Sequence, residues 1–164
     1  MKLVSNPWLN TFAFTGYSTN ENQIVVSFRG TNGKDYKNWI TNAVVQMLEY
    51  ENVPGAMVHR GFKGAYDFIS KSIRQNVKDL IKDHPTAKIL VTGHSLGGSL
   101  ALLGAVDLKR ELGSIKNQIQ IYTFGAPRVG NIEFADYVSH LFADVNYIRV
   151  THYDDAIPHI PWTS

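Results

Sequence analysis

The sequence lacks several features that would assign it to common protein classes. It contains no cysteine, which excludes disulfide bridges, thiolate metal sites and a cysteine nucleophile. Its longest near-continuous apolar stretch, 100–106, is far shorter than the roughly 20 residues that a membrane-spanning helix needs. No apolar run follows Lys2, so the first residues do not form a secretory signal. We therefore expect a cytoplasmic protein if Met1 is the true start, and a secreted one if a leader has been removed.

An excess of charge of one sign is also absent. Sixteen Lys and Arg residues balance fourteen Asp and Glu residues to a net charge of +2, and the basic residues are scattered along the chain. This distribution gives no support for nucleic-acid binding. Hydrophobic residues make up 44% of the chain and charged residues 18%, which is typical of a globular protein. The 164 residues favour a single domain, 1–164.

Short β-type runs alternate with longer helical segments along the chain. This alternation predicts an α/β fold, a mostly parallel sheet with helices on both faces. The predicted strands are rich in branched and aromatic residues and occupy Gln23–Phe28, Met57–His59, Lys88–Thr92, Ile119–Phe124 and Asn146–Val150. Apolar residues at spacings of three and four predict a first helix from Phe62 to Ile81, and further helices are predicted at Ser95–Leu112 and Asn131–Leu141.

The strongest chemical signal is the sequence GHSLGG at 93–98, which contains the pattern G-x-S-x-G. A predicted strand leads into it and a predicted helix leads out, which is the context of a nucleophile elbow. Such a turn would raise the hydroxyl of Ser95 at the C-terminal edge of the sheet, where open α/β folds bind ligands. The backbone N–H of Leu96, at the start of its helix, would be one donor to an oxyanion.

A serine nucleophile also needs a second oxyanion donor, a base and an acid that orients the base. The loop after the first predicted strand offers Thr31, through its N–H and its hydroxyl. An acid on the loop after 146–150 would lie at the same sheet edge, and from chemistry alone either Asp154 or Asp155 could serve.

These motifs together resemble the class 3, fungal-type lipases of the α/β-hydrolase fold. The resemblance runs from about Gln23 to Pro161 and its motifs occur in the family's order. They are SFRGT (27–31), NWITN (38–42), HRGF (59–62), GHSLGG (93–98), TFGAPRVGN (123–131) and RVTHYDDAIP (149–158). Five ordered motifs beyond the elbow make the match much more specific than G-x-S-x-G alone.

The resemblance implies a role for each matching residue. Ser95 matches the nucleophile, Thr31 and Leu96 match the oxyanion donors, and Asp155 matches the triad acid because an apolar pair and a proline follow it. The family's lid, a short amphipathic helix over the site, maps onto about Gly33 to Ile40 and implies transient contact with a lipid–water interface. No metal and no cofactor are implied.

The third member of the triad is not evident. In the chain order of this fold the histidine follows the acid, and His159 is the single histidine after Asp155. His159 is therefore the local candidate, although the family takes its catalytic histidine from a later loop. The sequence thus resembles a central block that lacks the N- and C-terminal parts of a full-length member. The remaining histidines are interpreted as structural or surface residues: His59, His84, His94, His140 and His152.

The sequence predicts a serine carboxylic ester hydrolase that acts on lipid esters such as triacylglycerols through an acyl-enzyme. Two alternatives remain open because the histidine is not evident. One is a catalytically silent α/β-hydrolase relative that binds an acyl ligand, and the other is an inactive fragment of a lipase.

Overall fold

The computed structural model describes residues 1–6, 11–30, 46–113, 118–144 and 147–160. Its main feature is a six-stranded sheet. In their order across the sheet, the strands are β1 (Lys2–Asn6), β2 (Thr11–Ser18), β3 (Gln23–Phe28), β6 (Lys88–His94), β7 (Ile119–Phe124) and β8 (Tyr147–Val150). The first two pairings are antiparallel and the last three are parallel. The sheet is thus mostly parallel, as predicted.

A second, two-stranded antiparallel sheet joins β4 (Met47–Glu49) to β5 (Met57–His59). Tight turns close the segment between them, where the N–H of Tyr50 donates to the carbonyl of Ala56 at 2.7 Å. The strand β5 runs directly into the first long helix, so this small sheet sets where that helix begins.

Two long helices pack side by side against one face of the large sheet. Helix α1 (Arg60–Asp83) lies against β1, β2 and β3, and helix α2 (Leu96–Leu112) lies against β3, β6 and β7. Between them, Asp107 accepts hydrogen bonds from Tyr66 at 2.5 Å and from Arg74 at 2.8 Å. Helix α3 (Ile132–Leu141) packs against α2 and β5, and a short 3₁₀ helix spans Ile157–His159.

The core lies between this sheet face and the helices. Alternate residues of β3 and β6 point into it and are fully buried, and α1 contributes one apolar stripe. The alternation continues across the sheet, so the residues between them point to the opposite face, where Phe14 and Ile148 are exposed. The fully buried side chains include Ile24, Val26, Phe62, Ile69, Ile73, Ile89, Val91, Leu100 and Ile121.

The predicted helices are confirmed, with α1 extended to Arg60 and Asp83, and the predicted strands are confirmed in the described residues. The prediction placed β5 in the parallel sheet, which is wrong, because Met57–His59 pairs with β4 in the small antiparallel sheet. Strands β1, β2 and β4 were not predicted. For β2 the signal was present, since TFAFTGYS alternates buried and more exposed residues over its first half.

Candidate active site

The junction of β6 and α2 forms a sharp turn at Ser95. Its backbone has φ 57° and ψ −129°, one of three positive φ values found for non-glycine residues in the described chain. A side chain in this region is strained. The turn is held from the neighbouring strand, because the N–H of Ser95 donates to the carbonyl of Phe124 at 2.9 Å. The predicted elbow is therefore present, with Ser95 at its tip.

The glycines around Ser95 are required by close backbone contacts. A β-carbon on Gly93 would collide with the carbonyl of Gly97, and one on Gly97 would collide with the carbonyl of Phe28. A β-carbon on Gly98 would lie 2.6 Å from the Cβ of Ala126. The strand, the helix and the loops after β3 and β7 thus meet at this turn more closely than any side chain would allow.

The hydroxyl of Ser95 is buried but makes no hydrogen bond to any described residue. The residue as a whole is 2% exposed. An unpaired buried hydroxyl carries a desolvation cost, and strained residues of this kind cluster at active sites. None of the six histidines, all of which lie in the described ranges, bonds to Ser95 Oγ in this structure.

Leu96 is the first residue of α2, where N–H groups have no partner within the helix. Its N–H is therefore available beside Ser95 for a developing negative charge. Thr31 lies outside the described residues, whereas Gly30, directly before it, is described. A β-carbon on Gly30 would lie 2.7 Å from the carbonyl oxygen of His94 and 3.4 Å from the Cβ of Ser95, so the loop after β3 runs directly past the serine. The predicted lid, 33–40, also lies outside the described residues.

Asp155 is half-buried on the loop after β8, at the same sheet edge as Ser95. Its Oδ1 accepts the N–H of Ile157 at 3.0 Å. Its Oδ2 fits against Gly125, whose φ is +53°, and a β-carbon there would lie 2.8 Å from this oxygen and 3.5 Å from Nε2 of His94. Asp154, by contrast, is exposed to solvent. Of the two aspartates, Asp155 therefore has the carboxylate held by its surroundings.

His159 ends the 3₁₀ helix and is exposed. Its N–H donates to the carbonyl of Ala156 at 3.1 Å, and no hydrogen bond within the described chain joins its side chain to Ser95 or Asp155. The candidate nucleophile and acid are thus both placed at the sheet edge, and His159 is near the acid in sequence without being bonded to it.

His59 is a buried cap at the start of α1. Its Nδ1 accepts the N–H of Gly61 at 3.1 Å, and its ring lies 4.3 Å from the ring of Phe62. Burial lowers the pKa of His59 below its ordinary value of 6.5, because desolvation disfavours the imidazolium ion. Its predicted structural interpretation agrees with this position.

Two residues near the site were not singled out by sequence reasoning. Gly125 leaves space for Asp155, and Arg149 donates to the backbone carbonyls of Ala126 and Pro158. Both occur within the motifs TFGAPRVGN and RVTHYDDAIP. Their presence in these motifs was the only signal in the sequence. Their contacts join segments that are distant in sequence, and such contacts leave no local pattern.

The described residues contain no cluster of three or more His, Asp or Glu side chains that could hold a metal ion. None of the helices in the described ranges is long and apolar enough to cross a membrane.

Comparison with known proteins agrees with this geometry. The family model described as "Lipase (class 3)" matches residues 25–164. The chain belongs to the class 3 lipase family. A lipase from Rhizopus niveus is 39% identical to it over 145 residues, which are 88% of this chain and 36% of that protein. The secreted mono- and diacylglycerol lipase 1 of Fusarium solani is 37% identical over 91% of this chain and 42% of its own length.

A solved triacylglycerol lipase, described as having a serine protease triad at its catalytic centre, superposes with a TM-score of 0.90 at 35% identity. The match covers 98% of this chain and 60% of that one. The chain therefore has the α/β-hydrolase fold. The chain spans about two fifths of the length of the two curated relatives named above.

Proposed function

We propose that this protein is a serine carboxylic ester hydrolase that acts on lipid esters such as triacylglycerols through an acyl-enzyme. The observation that carries the proposal is the position of Ser95. Its hydroxyl lies at a strained strand-to-helix turn, is bonded to no described residue, and is next to the N–H of Leu96, the first residue of α2. The names of the relatives, which are lipases, support the class of substrate.

In the proposed mechanism Ser95 Oγ attacks the ester carbonyl carbon while its proton passes to a histidine. The N–H of Leu96 and the N–H or hydroxyl of Thr31 stabilise the oxyanion. When the tetrahedral intermediate collapses, the histidine returns the proton to the leaving alcohol. Water then attacks the acyl-enzyme by the same route and releases the fatty acid. Asp155 orients the histidine and stabilises its charged form, and His159 is the candidate base within this chain.

The proposal is tested by a fluorophosphonate probe, which forms a covalent bond only with an activated serine. Mass mapping of the labelled chain should place the probe on Ser95, and hydrolysis of a soluble p-nitrophenyl ester should be lost in Ser95→Ala. Ser70→Ala is the matched control, since Ser70 is also buried and its hydroxyl donates to the carbonyl of Asp67 within its own helix, α1. Labelling at another residue, or turnover that survives Ser95→Ala, would contradict the proposal.

The base is tested separately by His159→Ala. If His159 is the base, labelling should fall by at least about 100-fold, the lower range of general-base contributions. Normal labelling in this variant would exclude His159 and leave the nucleophile assignment intact.

A second candidate function is binding of an acyl ligand without turnover. The observation that favours it is the absence of a hydrogen bond between Ser95 Oγ and any of the six histidines of the chain. Saturable binding of a fluorescent fatty acid, together with no labelling and no ester turnover, would select this alternative.

We also propose that residues 33–40 form the contact with a lipid–water interface, as a lid. Secretion is also proposed, because the Fusarium solani relative is named a secreted lipase. Ester turnover that rises when the substrate passes its solubility limit, and that loses this rise in Trp39→Ser, would support the lid.

A further inference from the structure

Arg149 makes an unusual pair of contacts for a residue in an outer strand. It lies in β8 opposite Thr123 of β7. One nitrogen of its guanidinium, Nη2, donates to the carbonyl of Ala126 at 2.8 Å and to the carbonyl of Pro158 at 2.7 Å. These two carbonyls belong to segments separated by about thirty residues in sequence. A single side-chain nitrogen therefore joins the loop after β7 to the 3₁₀ helix.

The two joined segments each contact the carboxylate of Asp155. Ala126 follows Gly125, against which Asp155 Oδ2 lies. Pro158 follows Ile157, whose N–H is donated to Asp155 Oδ1. Arg149 thus bridges the two backbone segments that contact the two oxygens of the acid.

The loop after β7 also contacts the elbow. The Cβ of Ala126 lies against Gly98 in the first turn of α2, and the hydroxyl of Ser99 donates to the carbonyl of Pro127 at 3.4 Å. The same loop is also bonded to the residue after the 3₁₀ helix, because the N–H of Arg128 donates to the carbonyl of Ile160 at 2.7 Å. The loop between 125 and 128 therefore links the acid on one side to the serine turn on the other.

The charge of Arg149 is directed to these carbonyls. In the part of the chain that the structure describes, no carboxylate lies within ion-pair distance of it. Hydrogen bonds from a charged donor are shorter and stronger than neutral ones, and the planar guanidinium fixes the direction of both N–H groups. An arginine is thus suited to hold two carbonyls at a set distance.

We propose that Arg149 is a positioning residue that holds Asp155 in register with Ser95. It acts through the backbone of the two flanking segments and touches no reacting atom. The inference rests on the proposed hydrolase function for its kinetic consequence, but its structural content can be measured without turnover.

The test compares Arg149→Met and Arg149→Lys with Arg74→Met. The control removes a guanidinium that bonds Asp107 between α1 and α2, away from the sheet edge. The first measurement is amide hydrogen exchange at Ile157, which reports its bond to Asp155. Exchange should accelerate at least about tenfold in Arg149→Met, less in Arg149→Lys because the ammonium retains donors, and not in Arg74→Met.

The second measurement is ester hydrolysis under conditions where all variants are folded. In Arg149→Met we expect kcat to fall about 10- to 100-fold, as a displaced catalytic group requires, with KM unchanged and partial recovery in Arg149→Lys. A purely structural arginine would lower the urea midpoint without this kcat loss, as expected for Arg74→Met.

Unchanged exchange at Ile157 in Arg149→Met, or equal acceleration in Arg74→Met, would overturn the inference. So would a normal kcat in a folded Arg149→Met protein. If the wild-type chain hydrolyses no ester, the proposed function fails, whereas the exchange result still decides whether Arg149 holds the acid.

Discussion

At the scale of single residues, the candidate site depends on the absence of a side chain at Gly125. Oδ2 of Asp155 lies 2.8 Å from the position that a β-carbon of residue 125 would take, which is too close for an ordinary contact. Gly125→Ala should therefore displace the acid and also strain the backbone, because φ is +53°. The strain should cost about 1–2 kcal/mol in the free energy of unfolding, and ester turnover should fall at least about tenfold.

Gly113 supplies the matched control, since its φ is +51° and none of the described residues lies within 4 Å of the position of its β-carbon. Gly113→Ala should lose similar stability in urea unfolding and keep full turnover of a p-nitrophenyl ester. If both alanine variants lost turnover equally, the space next to Asp155 would not be the reason for Gly125.

His59 makes stability depend on pH. Its folded-state pKa is lowered by burial, so the unfolded chain binds the proton more tightly. The free energy of unfolding should therefore be constant above about pH 7 and decrease as pH falls below 6.5, until the folded-state pKa is reached. His59→Asn keeps a side-chain acceptor for the N–H of Gly61, and its unfolding free energy should depend less on pH between 7 and 5.

The measurement is urea unfolding at intervals between pH 5 and 8. His140→Gln is the comparison, because His140 is exposed on α3 and its removal should leave the decrease intact. A wild-type decrease that persists unchanged in His59→Asn would show that other groups produce it.

At the scale of elements, the elbow is a packing junction as well as a chemical one. Gly97 is the second residue of α2. A β-carbon there would collide with the carbonyl oxygen of Phe28, at the end of β3. Backbone atoms cannot rotate away as a side chain can, so Gly97→Ala should cost on the order of 3 kcal/mol of stability. Gly64→Ala, in α1 with no described residue within 4 Å of its β-carbon position, should instead stabilise the protein by about 0.5–1 kcal/mol.

Equilibrium urea unfolding of both variants tests this contrast, with the urea dependence (the m-value) compared to confirm that the same transition is measured. A loss below about 1 kcal/mol in Gly97→Ala would mean that β3 and α2 can separate at the elbow without penalty.

How far the sequence predicts each element depends on whether its cause is local. The periodic apolar residues of α1 and the strand-turn-helix around Ser95 are local patterns, and both were predicted. The strand β5 was assigned to the wrong sheet because MVH carries no information on its partner, which lies ten residues earlier in β4. The roles of Gly125 and Arg149 require contacts between β7, β8 and the loop that carries Asp155, so neither could be predicted from one segment.

At the scale of the whole molecule, the sheet is covered unevenly. Helices α1 and α2 bury one face, while on the other face Phe14, Phe124 and Ile148 remain exposed. The central strands β3 and β6 are paired on both sides, whereas β8 is paired only with β7 among the described strands. Cooperative stability should therefore be concentrated in the centre of the sheet and decline toward β8.

Native-state hydrogen exchange tests this distribution strand by strand. Amides of Val26 and Val91 should exchange only through global unfolding, because both side chains are fully buried and their strands have two neighbours. Amides of Ile148 and Val150, in a strand with three exposed residues of four, should exchange at least about tenfold faster through local opening. Low urea should speed exchange at Val91 and leave Ile148 nearly unaffected, since local opening exposes little surface. Equal protection at Ile148 and Val91 would contradict this, and would mean that β8 and the loop carrying Asp155 unfold only with the whole domain.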